Sequence, residues 1–345
     1  MDSALTEVLS RSGTPSEGDR TPRTRMAKRL LAAYIALTVF QLAFRGIPFD
    51  RRFVALWVIV AFTIHSLGVS PREARRTLVR WSPFMAVVIA HELGGAFSDN
   101  FGRPTVVHLQ LRIDRFLGGG NVPTTWLQQR LHATGRVHWY DAVVAVVYLS
   151  YFIAPYAVAA FLWKVDRSAW KRYTAVYFTL AATAFVTWSA FPTAPPWMAA
   201  DQGLIPATPR LVNDGWHMLG LKAVSFFVIG GQKAANDVAA IPSLHGAHSL
   251  MVAWFLWSRV SPRWRPLLAV YPFAMMFSLV YGGEHYVIDV LVGWAYLVFA
   301  VVLVNAVARK WEAAAEIRLA RRGQAADVAS DLRPHRPRPR RVVPG

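Results

Sequence analysis

The chain has 345 residues, 54% of them hydrophobic, with 14 Trp, 20 Phe, no Cys and a formal net charge of +18. Without cysteine there are no disulfides, thiolate nucleophiles or cysteine zinc sites. The basic excess does not point to nucleic acid: no basic residues interleave with aromatics on one soluble face, and much of the charge lies between or beyond apolar blocks, where membrane topology explains it. Of the 38 basic residues 32 are Arg, a bias that fits GC-rich bacterial coding.

Residues 1–27 are rich in Ser, Thr, Gly, Pro and Arg, lack the order of a cleavable signal peptide, and are expected to form a disordered tail. Apolar blocks follow near 30–46, 53–69, 82–98, 141–163, 173–191, 246–260, 266–283 and 286–308. Several are long enough to cross about 30 Å of hydrocarbon as helices. The expected fold class is all-α integral membrane, a polytopic helical bundle of about eight spans. The first and sixth blocks are short, and a count of six or seven results if either lies tilted, re-entrant or at the interface. Two connections are long. Residues 99–140 carry Gly118-Gly119-Gly120 and an expected interfacial helix around Thr125–Leu131; residues 192–244 open on Pro192-Thr193-Ala194-Pro195-Pro196-Trp197. Loops of such length are often functional. Past residue 309 a short Ala/Glu/Arg helix is expected to give way to a Pro/Arg-rich tail suited to anionic lipid. There is no visible internal repeat.

Arginine placement orients the bundle. Arg20, Arg23, Arg25, Lys28 and Arg29 precede the first span, and Arg72, Arg75, Arg76 and Arg80 fill the second turn. Lys164, Arg167, Lys171 and Arg172, then Arg259, Arg263 and Arg265, fill the next even-numbered turns, and Arg309 through Arg341 follow the last span. The positive-inside rule places all of these, and both termini, in the cytoplasm of a multi-pass protein of the cell membrane. Arg45, Arg51 and Arg52 fall in the first outside loop, where a helix end can snorkel them to the interface.

Between His245 and His285 the chain reads as one span inward, a basic turn and one span outward, so both histidines return to the extracytoplasmic face. Asp289 follows His285 by four residues, a spacing that makes neighbours on one helical face. A carboxylate holding one imidazole nitrogen fixes the tautomer and leaves the other free to attack phosphorus, giving a phosphohistidine at His285. His245 has the right chemistry to protonate the departing alkoxide and then deprotonate the acceptor. Pro242 and Ser243 resemble a helix start, whose free N–H groups attract phosphate oxygens, and Gly246 belongs to the same turn.

Pro242-Ser243-Leu244-His245 followed by His285-x-x-x-Asp289 resembles the type 2 phosphatidic acid phosphatase superfamily of integral membrane enzymes. With Phe191-Pro192-Thr193-Ala194-Pro195-Pro196-Trp197 and Tyr281-Gly282-Gly283-Glu284-His285-Tyr286-Val287-Ile288-Asp289, the sequence is most similar to the inositol phosphorylceramide synthase branch and its bacterial relatives. The resemblance covers roughly residues 80–308. It implies His285 as nucleophile, Asp289 as its orienting partner, His245 as acid/base, and a six-helix catalytic membrane domain over 80–308. Two accessory transmembrane helices would then occupy 28–79, and a basic cytoplasmic tail 309–345. The wider superfamily carries a Lys-x6-Arg-Pro element and a Ser-Arg pair seven and six residues before the nucleophile, where this chain has Ser278 and Leu279. The phosphate-clamping arginine is absent there, and Arg210, Lys222 and Lys233 in the loop before His245 are the basic groups near enough in sequence to substitute.

Rival readings exist for several residues. His248, with His245, His285 and Glu284, makes a metal-ligand set on paper; its simpler role is a polar residue one turn inside the bundle. Glu92, beside His91 in the third span and followed by Gly94, Gly95 and Asp99, is either a site residue or a packing partner. Pro195 and Trp197 sit at the mouth of a site or in a rigid interfacial loop. The expected substrate contacts are Ser243, Gly246, Arg210, Lys233, Pro195, Trp197 and Glu92. The sequence thus predicts a lipid phosphotransferase or phosphatase that needs neither metal nor cofactor, whose partners are a membrane lipid substrate and the bilayer rather than nucleic acid. The competing class is a non-enzymatic lipid-binding or transport protein with a polar intramembrane site. Nothing in the sequence fixes the oligomeric state.

Overall fold

A computed structural model of the chain describes residues 22–41, 51–82, 104–132, 136–221 and 237–331. The third apolar block, with His91 and Glu92, and the segment holding Lys222 and Lys233 lie outside them. The described helices are α1 (Pro22–Phe40), α2 (Arg51–Leu67), a helical stretch over 71–82, α3 (His108–Leu117), α4 (Pro123–Leu131), α5 (Trp139–Val165), α6 (Arg167–Ala190), α7 (Pro196–Asp201), α8 (Asp214–Met218), α9 (Leu244–Trp257), α10 (Arg265–Tyr281) and α11 (Val287–Asp331). Among the described residues there is no strand, only isolated bridges that join Val106 to Thr193 and Thr193 to Ala239. The fold is all-α. By length and composition two described helices suffice to cross a bilayer, Trp139–Val165 and the Val287–Arg318 part of α11.

The chain forms two compact units, Met1–Val298 and Phe299–Gly345. The second consists, among the described residues, of the continuation of α11 to Asp331, much longer than the short helix expected past residue 309. Helix α3 was not expected from the sequence; α4 takes the place of the interfacial helix foreseen there.

Local chemistry sets the ends. Asp166 caps α6 by accepting the Ala169 N–H at 2.9 Å, and Ser243 caps α9 by accepting that of Gly246 at 3.3 Å. Helix α10 stops at Gly282 and Gly283, the latter at φ +79°, where a Cβ would also meet the Pro209 carbonyl at 2.9 Å. The core below the site gathers Val144 and Tyr148 of α5, Leu211, Val212 and Trp216, Met275 and Leu279 of α10, and Val290 of α11. At the other end of α9 and α5, Arg259 binds the Asp166 carboxylate at 2.9 Å. The two turns read as cytoplasmic therefore share one end of the bundle, and the histidines occupy the other.

Candidate active site

The loop Tyr281–Tyr286 carries the nucleophile candidate, and four neighbours hold it. Gln128 of α4 donates from Nε2 to the carbonyls of Tyr281 (2.8 Å) and Pro209 (3.0 Å). The Leu211 N–H binds the Gly282 carbonyl at 3.1 Å, and the Trp197 N–H reaches that of Gly283 at 3.4 Å. On the far side Asp114 of α3 accepts the N–H groups of Val287 and Ile288, each at 3.0 Å, and so caps α11. Burial pushes the Asp114 carboxyl up to about 6, against the pull of those two N–H groups and with a further push from Asp289.

Within this frame Nδ1 of His285 lies 3.3 Å from Oδ2 of Asp289, which also accepts the Tyr286 N–H at 2.9 Å. Asp289 is fully buried and His285 nearly so. The His245 ring lies 5.5 Å from that of His285, centroid to centroid. Tyr148 and Tyr151 of α5 pack against His245 with centroids at 5.2 and 3.9 Å, and Phe152 adds an edge contact at 6.1 Å. His248 lies one turn deeper between Tyr151 and Tyr177, the polar residue inside the bundle that its spacing implied.

Helices α9 and α11 meet closely enough to fix the two histidines relative to each other. The Ser243 N–H donates to the Asp289 main-chain carbonyl at 3.0 Å. A Cβ on Gly246 would lie 2.6 Å from Cγ1 of Val290, and one on Gly293 would lie 2.3 Å from the Ser243 carbonyl. Trp294 closes the contact by donating its indole N–H to the Gly246 carbonyl at 3.1 Å. Ser243 and Gly246 thus act, in this structure, as cap and close-approach positions of α9.

Arg210 does not stand alone as an anion receptor. Its Nε and Nη2 donate to the two Glu284 oxygens at 2.9 and 2.6 Å, and its guanidinium lies 4.9 Å above the Trp197 ring. Burial lowers its affinity for the proton, but the bonds and charge of Glu284 more than restore it, leaving Arg210 above its ordinary pKa. Arg210, Trp197 and Glu284 therefore form one group at the residue before His285. Pro195 is buried at the start of α7, and the adjoining Thr193 laces three segments: its N–H meets the Val238 carbonyl at 2.7 Å, its Oγ1 accepts the Ile241 N–H at 2.8 Å, and the next residue binds Val106 at 3.0 Å. The Pro192–Trp197 motif is hydrogen-bonded to the segments of Val106, Val238 and Gly283 and so adjoins the nucleophile loop.

Leu279 marks the departure from the superfamily pattern, whose serine is kept at Ser278. Leu279 is fully buried in the core, and Ser278 donates to the Val144 carbonyl at 2.7 Å, so both positions serve packing. Among the described residues, no group of three or more His, Asp or Glu is placed to hold a metal ion. Sequence reasoning missed Asp114, Gln128 and the Tyr148–Tyr151 pair. The signal for the first two was a polar face, Gln110/Asp114 and Thr124/Gln128, at helical spacing; for the tyrosines it was none beyond an apolar helix.

The model of the PAP2 superfamily matches residues 111–303. The chain belongs to the PAP2 superfamily. Within it the chain is 29% identical over 164 residues to the phosphoinositol dihydroceramide synthase of Bacteroides thetaiotaomicron, an alignment covering 45% of this chain and 53% of that protein. It is 31% identical over 107 residues to the inositol phosphorylceramide synthase catalytic subunit of Schizosaccharomyces pombe, covering 30% of this chain and 25% of that protein. The chain thus spans about half the length of the first relative and a quarter of the second. No solved structure gives a significant match. The PAP2 match contains Asp114, Gln128, Arg210, His245, His285 and Asp289.

Proposed function

We propose that this PAP2 protein is a lipid phosphotransferase or phosphatase working through a phosphohistidine at the extracytoplasmic face of the cell membrane. The observation that carries the reading is the histidine pair with one carboxylate: Asp289 at 3.3 Å from Nδ1 of His285, and His245 at 5.5 Å between ring centroids. With Nδ1 held as N–H by Asp289, the lone pair of His285 Nε2 attacks phosphorus and the bond from phosphorus to the leaving oxygen breaks. His245, as imidazolium, gives its proton to that oxygen. Neutral His245 then takes a proton from water or an alcohol, whose oxygen attacks phosphorus, and the P–N bond breaks to restore His285.

The synthase names of two relatives favour an alcohol acceptor and a donor of the inositol-phosphate-lipid type; a polyprenyl-phosphate-type donor uses the same chemistry. Arg210, paired with Glu284 beside the nucleophile, stands in this proposal for the arginine missing at Leu279, and meets the phosphate where the substrate competes with Glu284 for its N–H groups. Lys233 and Glu92 complete the substrate contacts in this proposal, with Ser243 and Gly246 shaping the start of α9 beside them. No metal ion is needed for any step. Purified protein given radiolabelled lipid phosphates, with and without alcohol acceptors and EDTA, is expected to turn over in all EDTA arms. His285→Ala should abolish turnover, and Asp289→Asn should lower kcat by roughly 10²- to 10⁴-fold. Unchanged turnover in His285→Ala overturns the nucleophile; binding without turnover of any substrate favours a lipid-binding protein instead.

A further inference from the structure

Helix α3 is amphipathic in the wrong sense for a water-facing surface, and α4 beside it packs Leu127 and Leu131 inward while exposing Trp126 and Arg130. Their inner sides bury Gln110, Asp114, Thr124 and Gln128. Their outer sides show Leu109 at 40%, Phe116 at 84%, Leu117 at 46% and Trp126 at 41% exposure. Leu109, Arg112 and Phe116 recur at helical spacing on the same face of α3, opposite Leu111 and Asp114. Arg112 is exposed there, and the Arg130 guanidinium lies 4.2 Å over the Trp126 ring. An apolar face rimmed by Arg and aromatic side chains, on helices too short to span a bilayer, has the composition of an element lying in the interface plane.

We infer that the outer face of α3 and α4 is seated in a lipid leaflet and meets anionic headgroups through Arg112 and Arg130. The charge selects the occupant: two exposed guanidiniums beside apolar side chains complement an anionic leaflet, and offer nothing to a second copy presenting the same cations. The inference rests on the membrane reading above and names what the site's own scaffold touches. The same two helices hold the nucleophile loop from within, Asp114 at Val287 and Ile288 and Gln128 at Tyr281. Leaflet seating and the position of His285 therefore share one support.

The chain has no cysteine, so single labelling sites are free of background. Phe116→Cys and, separately, Leu109→Cys are labelled with the environment-sensitive dye NBD, with Gln202→Cys on an exposed polar position as control. Each full-length protein is reconstituted into vesicles of phosphatidylcholine alone or with phosphatidylglycerol, and doxyl-labelled lipid is added. The expected result is blue-shifted emission and loss of intensity to doxyl lipid at 109 and 116, not at 202, stronger with phosphatidylglycerol. Arg112→Gln with Arg130→Gln should remove the phosphatidylglycerol increment. Water-like emission without quenching at both positions in both vesicles overturns the inference. So does a shift that follows protein density and ignores doxyl lipid, which would mark contact between copies. The readout needs no turnover, so failure of the phosphotransfer reading leaves this result interpretable.

Discussion

Asp114 is a fully buried carboxylate whose two oxygens each take a main-chain N–H, and the helix it caps is the one that carries Asp289. Its ordinary value of 3.8 becomes about 6 through burial first, with Asp289 adding to the shift. A folded-state value above the unfolded one means the native protein holds more protons between about pH 4 and 6, so the contribution of this group to stability falls as pH rises through that window. Once ionised, the group costs the native state on the order of 3 kcal/mol. Asp114→Asn removes the charge but keeps one acceptor. Its melting temperature is predicted to vary less between pH 4 and 6 than that of the parent protein, with about 1 kcal/mol lost at the acid end from the weakened cap. Parallel profiles for the two proteins would show that Asp114 does not titrate in that range.

Among the elements, α4 shows how a short helix outside the spans controls the site. Gln128 is its only described link to the two carbonyls of Tyr281 and Pro209, and both belong to segments that adjoin the nucleophile loop. Gln128→Ala strands those acceptors, at an expected cost of about 1–3 kcal/mol. Thermal unfolding in detergent measures it, and a change below the error of that measurement would reassign the support of the loop to Asp114, Leu211 and Trp197. The long elements were legible from sequence because apolar blocks near 141–163, 173–191 and 266–283 are unbroken and their ends carry Asp166, Pro266 or paired glycines. Helix α3 was not, since it is only ten residues long and Arg112, Asp114 and Arg115 interrupt its apolar residues, so it makes no apolar block. The meeting of His245, His285 and Asp289 was legible because the four-residue spacing sets His285 beside Asp289, and two spans joined by a basic turn bring His245 to the same end of the bundle. Glu284 as the partner of Arg210 was not: the two are far apart in sequence, and only folding places them together.

For the molecule as a whole, the Asp166–Arg259 pair and the two histidines mark opposite ends of the helices α5 and α9. The positive-inside rule assigns the Arg259 end to the cytoplasm. With no native cysteine, Ser258→Cys and Asn121→Cys, both exposed positions, test this directly in intact cells. A membrane-impermeant maleimide is predicted to label position 121 and to reach position 258 only after the cells are opened. The reverse pattern would put the histidines in the cytoplasm and move the reaction to the other leaflet. A further consequence lies in the single hydrogen bond from the Ser243 N–H to the Asp289 carbonyl. Asp289 orients one histidine through its side chain and anchors the helix of the other through its main chain, so both bases ride on one residue. Loss of this one contact would therefore disturb both histidines at once.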